Sequence, residues 1–248
     1  ALVEAFLDAT ASIRGESPLR AYFLSIGRCE TPELRTVALD DTLIAEFRSW
    51  MPPRQAAALR LLSYNPFVRS ANLSSCALDD SSGAVLAEVV RRSRSLTSLS
   101  VERNDLREEG LLQLVGALRE NTTLSELRIN HQRFTVSTPV EEALHELLHT
   151  GANTTLCKLG LILRNDVPRY RIEAALMRNI DAKRAARREA TRGRSESGHA
   201  GITGSTGPTG AESARGVGSL AHAVGGGGVD APRRRQLSSN SSPRSAAA

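Results

Sequence analysis

Five consecutive residues, His145 to His149, carry the best candidate for catalytic chemistry in this sequence. They read HELLH, which matches the H-E-x-x-H signature of zinc metalloproteases. Two histidines one helical turn apart can ligate zinc, and the glutamate after the first can act as a general base. A catalytic zinc also needs a third ligand and an enclosed cleft. Glu173 is the only plausible downstream carboxylate, and the motif that should surround it is absent.

The helix expected to carry HELLH argues against a protease. Leu144, Leu147 and Leu148 have the spacing of a core-facing stripe, which turns both histidines and Glu146 toward the flank or solvent. The sequence therefore favours an incidental surface histidine pair, with adventitious metal binding and a protease as alternatives. We expect Thr138 to cap this helix, Pro139 to lie in its first turn and Glu141 to complete a capping box.

No other pattern in the chain indicates an enzyme or a cofactor. The sequence contains no phosphate-binding GxxxxGK[ST], no GxGxxG after a strand and no G-x-S-x-G. Aromatic residues make up 4% of the chain and are too few and scattered for a base-stacking platform. Cys29, Cys76 and Cys157 form no CxxC pair and are expected to be reduced, mostly buried thiols.

Positive charge is concentrated in one short segment. Residues 1–182 hold 21 Lys and Arg against 23 Asp and Glu, whereas residues 183–194 hold six Lys and Arg against one Glu. A nearly neutral folded part argues against a nucleic-acid partner. No apolar run approaches the roughly 20 residues of a membrane span. Because the chain begins with alanine, we treat it as a fragment, and its few, widely spaced cysteines favour the cytoplasm.

An internal repeat organises the middle of the chain. The segment NTTL occurs at residues 121–124 and 153–156, and alignment on its leucine gives five lines. The lines start at Leu34, Val68, Leu96, Leu124 and Leu156, with steps of 34, 28, 28 and 32 residues. They follow the leucine-rich pattern L-x-x-L-x-L-x-x-N/C-x-L, which predicts one strand and one helix per repeat.

The ninth position of each line is expected to hydrogen-bond the backbone where the strand turns away. Cys76 and Asn104 hold this position in the second and third lines, and Gln132 and Thr42 are the candidates in the fourth and first. Arg164 cannot play this role, as expected of a terminal repeat. In NTTL, the asparagine should close a helix, the threonines should turn and the leucine should enter the core.

The predicted fold is an α/β leucine-rich-repeat solenoid with five parallel strands on a concave face and helices outside. Residues 1–29 form an N-terminal helical flank, residues 30–166 the repeats, residues 167–192 a capping helix with a basic extension, and residues 193–248 a disordered tail rich in Gly, Ser and Ala. The capping helix should cover the last repeat through one apolar face formed by Tyr170, Ala174, Leu176, Met177 and Ile180.

Residues from about 30 to 185 resemble the leucine-rich domain of the tropomodulin family, which includes leiomodin. TPELRTVALDD resembles the family's first-repeat opening, and LTSLSVERNDLREEGLLQLVGALRENTTLSELRINHQRF its long central signature. LCKLGLILRNDVPRYRIEAALMRNID is similar to its closing segment. The central match is long and ordered, whereas the N-terminal third matches more loosely.

The resemblance implies a cytoskeletal protein that caps the slow-growing, pointed end of actin filaments. In this family the leucine-rich domain is one actin-binding site, and other sites and the tropomyosin-binding helices lie upstream. The fragment alone should therefore cap weakly and should not bind tropomyosin. The family's F-G-Y-x-F is LGLIL at residues 159–163, and its Gly-Pro-Arg is Val-Pro-Arg at residues 167–169. The tail has no WH2-like motif, which favours tropomodulin over leiomodin.

Two sets of residues are candidates for the actin-binding surface. The first consists of polar residues just after the strands: Glu102, Arg103, Asn130, His131, Arg133 and Arg164. The second consists of cations on the closing helix, which can meet an acidic surface: Arg169, Arg171, Lys183, Arg184, Arg187 and Arg188. The alternative function is that of a general cytosolic leucine-rich-repeat adaptor that binds another protein.

Overall fold

The computed structural model describes residues 1–13 and 15–197, with side chains up to residue 192. Of the predicted disordered tail, residues 193–248, the first five are helical as the end of the last helix, and residues 198–248 lie outside the described part of the chain. The described elements, in chain order, are α1 (Leu2–Ala9), α2 (Pro18–Arg28), β1 (Thr36–Ala38), α3 (Asp41–Ser49), α4 (Pro52–Leu61), β2 (Ser70–Asn72), α5 (Asp80–Arg92), β3 (Ser98–Ser100), α6 (Glu108–Leu118), β4 (Glu126–Arg128), α7 (Thr138–His149), β5 (Lys158–Gly160) and α8 (Asp166–Ser197).

The five strands form one parallel sheet in the order of the sequence, β1 to β5. The second apolar residue of each repeat line lies at the centre of its strand, and these residues stand in register: Val37, Ala71, Leu99, Leu127 and Leu159. The first four of them are buried in the hydrophobic core. The repeat period thus fixes both the number of strands and their register, which confirms the predicted fold.

Asn104 occupies the ninth position of the third line and makes five hydrogen bonds to backbone groups. Its side-chain oxygen accepts from the amides of Cys76 and Leu78 at 2.9 and 3.1 Å. Its amide group donates to the carbonyls of Leu73, Val101 and Glu102 at 2.9, 2.8 and 3.2 Å. The side chain therefore joins two successive repeats where their strands end.

Gln132 takes the same role in the fourth line, as predicted. Its amide donates to the carbonyls of Val101 and Ile129, and its oxygen accepts from the amide of Leu106. Thr42 does not, because it lies exposed in the first turn of α3, where Asp40 caps the helix by accepting from the Leu43 amide at 2.8 Å. The prediction for Thr42 was wrong.

A second set of buried side chains closes the helices at the opposite, amino-terminal edge of the sheet. Asn121 donates to the carbonyl of Val90 and accepts from the amides of Thr123 and Leu124. Asn153 makes the corresponding bonds one repeat later. These bonds explain why NTTL occurs twice, since each asparagine holds the turn that delivers its leucine to the core.

The start of α7 differs from the predicted capping box. Ser137 precedes the helix, and no side chain caps its first turn. Glu141 is instead buried and accepts hydrogen bonds from the backbone amides of Arg164 and Asn165 and from the side-chain amide of Asn165. This glutamate therefore anchors the segment that follows β5, a role that its spacing from Thr138 did not indicate.

Five of the nine aromatic residues form one cluster at the N-terminal end of the described chain. The rings of Phe6, Phe23, Phe47 and Trp50 lie with centroids 6.0 to 6.4 Å apart, and Tyr22 packs edge-on against Phe23. The residues are scattered in sequence but not in space. The side chains of Phe6, Phe23, Phe47 and Trp50 are buried. The cluster therefore stabilises the packing of helices α1 to α4 and offers no stacking surface.

Helix α8 covers the last repeat, but with a different face from the predicted one. The buried stripe consists of Ile172, Ala175 and Asn179, with Leu176 half-buried beside it. Tyr170, Ala174 and Met177 are exposed, and Ile180 is half-buried. Asn179 donates to the carbonyls of Asn153 and Leu156, and Arg178 donates to that of Leu148. The prediction of a helix was right, but the prediction of its buried face was wrong. The hydrogen bonds of Asn179 favour the face that is turned inward.

Candidate functional site

Four of the predicted site residues lie side by side at the carboxyl-terminal edge of the sheet. Glu102 follows β3 at the position that Asn130 holds after β4, and Arg103 corresponds to His131 in the same way. The Arg103 amide donates to the Asn130 carbonyl at 3.1 Å, which ties the two segments together. Arg103 and His131 both adopt left-handed backbone, with φ of 56° and 58°, and their side chains are exposed. The chain thus leaves the sheet abruptly and presents both side chains to solvent.

Arg164 joins this edge beside the last strand. A hollow between the segments after β4 and β5 is lined by Asn130, His131, Phe134, Ile162 and Arg164 among others. The Arg164 backbone is fixed by Glu141 at 2.8 Å, and its guanidinium donates to the Thr135 hydroxyl at 3.3 Å. Three of the six predicted edge residues therefore border one concave surface.

Arg133 lies at a neighbouring, more acidic hollow. It shares that hollow with Asp79, Asp80, Asp105 and Arg107. The Arg133 amide donates to the Asn104 carbonyl at 2.8 Å, so the residue is held by the same bonding network that ends the strands. The carboxylates on this side give the edge a mixed rather than purely basic character.

Phe134 separates the two hollows and was not among the predicted site residues. It stands at the eleventh position of its line, where the pattern places a core leucine, yet its side chain is 37% exposed. The guanidinium of Arg107 lies 4.1 Å from the centre of its ring. An arginine stacked on an exposed ring is an arrangement that can contribute to protein recognition. A phenylalanine in place of leucine was the one available sequence signal.

The open face of the sheet carries a group of charges that the sequence analysis also missed. Glu126 accepts from Lys158 of β5 at 2.9 Å and from Arg128 at 2.7 Å. The hydrogen bond from Lys158, and then that from Arg128, lower the pKa of Glu126 despite partial burial. Alternation along β4 turns residues 126 and 128 away from the core, and this was the signal that could have located them.

The six cations of α8 fall into two groups. Arg169 and Arg171 lie in the first turns, where Arg169 pairs with Glu173 at 3.1 Å. Lys183, Arg184, Arg187 and Arg188 lie on the later, fully exposed part, and Arg184 pairs with Asp181 at 3.4 Å. Because Lys183 follows Arg171 by twelve positions in the same helix, the two groups are about 18 Å apart along its axis. The structure therefore does not bring the later group into the sheet edge.

The HELLH segment forms a stacked histidine pair on the surface of α7. The rings of His145 and His149 lie 5.1 Å apart and nearly parallel, at 22°. Glu146 is exposed and pairs with Arg119 of the preceding repeat at 3.6 Å. Burial, and after it the charges of Arg171 and His149, lower the pKa of His145. In the described part of the chain, no three potential metal ligands lie together.

We expect the purified protein to bind no stoichiometric zinc and to cleave no peptide. Elemental analysis after dialysis should give well under one zinc per chain, and His145→Ala should leave that value unchanged, because a helical histidine pair supplies only two ligands. One tightly held zinc per chain that disappears in His145→Ala would contradict this expectation.

Comparison with known proteins shows that the repeats of this chain match a known leucine-rich domain. A sequence profile described as the TMOD/LMOD leucine-rich domain matches residues 45–182. Leiomodin-2 of Rattus norvegicus is 33% identical over 140 residues, covering 56% of this chain and 25% of that protein. Leiomodin-2 of Gallus gallus is 33% identical over 165 residues, covering 66% of this chain and 29% of that protein. The chain thus spans about a quarter of the length of the curated relatives it matches.

Solved structures of leiomodin and tropomodulin domains also superpose on this chain. A chain titled "Leiomodin-1 Actin-Binding Site 2 (ABS2)" superposes with a TM-score of 0.66 at 26% identity, covering 73% of this chain and 99% of that one. The tropomodulin C-terminal domain of Caenorhabditis elegans superposes with a TM-score of 0.60 at 22% identity, covering 69% of this chain and 98% of that one, which supports the shared fold. The curated relatives above are leiomodins, so they lend no support to a preference for tropomodulin. No helix of the described residues is both long and apolar enough to cross a membrane.

Proposed function

The chain belongs to the tropomodulin and leiomodin family, and from this we propose that it binds actin and caps the slow-growing, pointed end of the filament. The observation that carries the proposal is the structural match to actin-binding site 2 of leiomodin-1, 99% of which is covered by the superposition. At 26% identity and a TM-score of 0.66, the similarity extends to the same strand and helix repeats. We place the protein in the cytoplasm, on the cytoskeleton.

We assign the contact to two surfaces. The first is the carboxyl-terminal edge of the sheet, with Glu102, Arg103, Asn130, His131, Arg133 and Arg164. Its backbone is fixed by Asn104, Gln132 and Glu141, so binding there does not have to order a loop backbone. Arg107 and Phe134 belong to the same surface and supply an aromatic and guanidinium contact of the kind enriched in protein interfaces.

The second surface is the exposed basic part of α8. Lys183, Arg187 and Arg188 form no ion pair with any described residue, so their charge is available to an acidic partner. Arg184, Arg187 and Arg188 are spaced three and four residues apart, so they lie on one face of the exposed helix. Such a charged arm increases the rate of encounter with an acidic surface. Tyr170, at 74% exposure, lies at the start of the same helix as an apolar contact.

The proposal covers actin alone. Tropomyosin, nucleic acid and membranes are not expected partners of these repeats, and we expect no enzymatic activity. A general adaptor that ignores actin is the competing function. Pull-down of another protein in the absence of any effect on actin would favour it.

Charge reversal on the closing helix tests the basic surface. We expect Arg187→Glu with Arg188→Glu to weaken pointed-end affinity by about tenfold or more, because two exposed cations are turned against an acidic surface. Stability should change by less than about 0.5 kcal/mol, since both residues are exposed. The measurement is the concentration that half-inhibits pointed-end growth, beside a denaturant midpoint.

The matched control is Arg48→Glu with Arg119→Glu, which makes the same charge change at an exposed residue of α3 and at the exposed residue that follows α6. This control should leave end affinity within about twofold. Equal losses in the two double variants would show that only net charge matters. No loss in the α8 variant would restrict the actin site to the sheet edge.

A further inference from the structure

A basic hollow lies at the amino-terminal edge of the sheet, opposite the carboxyl-terminal edge that forms the first of the two proposed actin surfaces. It is bordered by Tyr64, Arg69, Arg92 and Arg94, with the backbone between Ser63 and Pro66 as its floor. These residues precede β2 and β3, whereas the actin surface follows β3, β4 and β5. No carboxylate borders the hollow among the described residues. It is therefore a separate surface with one sign of charge.

The arginines around the hollow have few carboxylate partners. Glu88 is the nearest paired acid, and it already contacts both Arg60 at 2.9 Å and Arg92 at 3.2 Å. Arg69 donates to the Ser95 carbonyl at 3.2 Å, which is not an anion. Arg94 is exposed and has no hydrogen-bond or ion-pair partner among the described residues. Of the three arginines that border the hollow, only Arg92 has a carboxylate partner among the described residues, and it shares that carboxylate with Arg60, which leaves a local excess of positive charge.

The floor of the hollow is rigid and polar. Ser63 and Asn65 are buried, and Asn65 bonds the Ile26 carbonyl and the amides of Phe67 and Val68. The buried Ser95 hydroxyl donates to the Asn65 carbonyl at 2.6 Å. These bonds hold the turn that carries Tyr64 and Arg69. A fixed backbone with arginines at its rim is pre-organised to receive a carboxylate, which the planar guanidinium binds in a bidentate manner.

A second, apolar hollow adjoins the first. It is lined by Leu2, Val3, Gly27 and Leu61, and it shares Tyr64 and Arg92 with the basic hollow. Tyr64 is 62% exposed and receives a hydrogen bond from Arg92 at 3.2 Å, so this pair forms the ridge between the two hollows. The exposed Tyr64 ring and the unpaired Arg94 are of the residue types that are enriched at protein interfaces.

From this arrangement we propose that the amino-terminal edge of the sheet binds an acidic peptide segment of a partner protein, in which an apolar side chain stands next to carboxylates. The apolar side chain enters the hollow between α1 and α4, and the carboxylates pair with Arg69, Arg92 and Arg94. The two adjoining hollows favour this ligand over a free phosphate, which would use the arginines alone. The proposal goes beyond actin capping and does not rest on it.

The test uses a fluorescein-labelled peptide of about ten residues, in which one leucine precedes four glutamates. We expect fluorescence anisotropy to show saturable binding to the full chain that weakens as salt rises from about 50 to about 200 mM. Arg69→Glu with Arg94→Glu should weaken binding by about tenfold, as expected for two charge pairs on a partly exposed surface. Replacing the glutamates by glutamine should abolish binding, and replacing the leucine by serine should weaken it several-fold.

Two controls make the result specific. Arg48→Glu with Arg119→Glu carries the same charge change elsewhere and should retain affinity within about twofold. Arg94→Glu alone removes no internal bond, so it should fold normally and still lose several-fold in affinity.

Four outcomes overturn the proposal. They are no binding of any of the peptides, equal loss in the control and test variants, binding that survives the leucine replacement unchanged, and competition by inorganic phosphate at low millimolar concentration. Binding of the chain to phosphatidylserine vesicles through the same arginines, without peptide binding, would assign the surface to a membrane and would also overturn it.

Discussion

Asn104→Ala should destabilise the protein by about 3–5 kcal/mol, because it leaves several buried backbone groups without a hydrogen-bond partner. The substitution removes both bonds to the amides of Cys76 and Leu78 and three bonds to carbonyls. Asn104 is almost completely buried, so water cannot replace these bonds without opening the turn. Denaturant unfolding monitored by circular dichroism measures the loss.

Asn72→Ala is the matched control for Asn104→Ala. Asn72 is exposed at the end of β2 and bonds only the Ser74 amide and hydroxyl. Its replacement should cost less than about 0.5 kcal/mol. If the two alanine variants unfold at the same denaturant concentration, the bonding network of the ninth position does not stabilise the fold.

Ile172→Ala should cost about 2–4 kcal/mol as a buried large-to-small change. Ile172 is 1% exposed and forms the centre of the face by which α8 covers the last repeat. Without that cover, the half-buried Leu159 of β5 and Leu161 just after it would meet water, and a solenoid end needs such residues to be shielded. The shift in denaturant midpoint, at an unchanged slope, is the quantity to measure.

Tyr170→Ala on the same helix distinguishes the two possible faces. Tyr170 is 74% exposed, so its loss should change stability by less than about 0.5 kcal/mol. A silent Ile172→Ala together with a destabilising Tyr170→Ala would mean that α8 docks by the face that we first predicted.

The parts of the fold that repeat were predictable, because each repeat line places its residues by the same rule. The 28-residue spacing put Ala71, Leu99 and Leu127 opposite one another, and a solenoid has no alternative register that buries all three. Gln132 was predictable for the same reason, since its amide offers the bonding groups of asparagine at the same position. Thr42 lacks an amide group, and its segment became a helix.

The parts that occur once were harder to predict. Two apolar stripes run along α8, and the one with the larger side chains, Tyr170 and Met177, is the exposed one. The face that contains Asn179 is buried instead, because this side chain donates hydrogen bonds to two buried carbonyls. Glu141 has the spacing of a capping box, but its true partners, Arg164 and Asn165, are more than twenty residues away. Contacts at such separation leave no local pattern to recognise.

The candidate site was predicted in part for a related reason. Residues that directly follow the strands were placed correctly, because parallel strands end at a common edge. Phe134 was missed because its position normally faces the core, and its exposure depends on Arg107 from the previous repeat. The distance between the basic part of α8 and the sheet edge depends on the length of α8, and the sequence predicts that length only approximately.

Growth of actin filaments from seeds with one end blocked tests the central claim most directly. With barbed ends blocked, the chain should slow pointed-end elongation in a saturable manner. With pointed ends blocked, barbed-end elongation should be unaffected at the same concentrations. Unchanged growth at the pointed end across the full concentration range, or equal slowing at both ends, would contradict pointed-end capping by this domain.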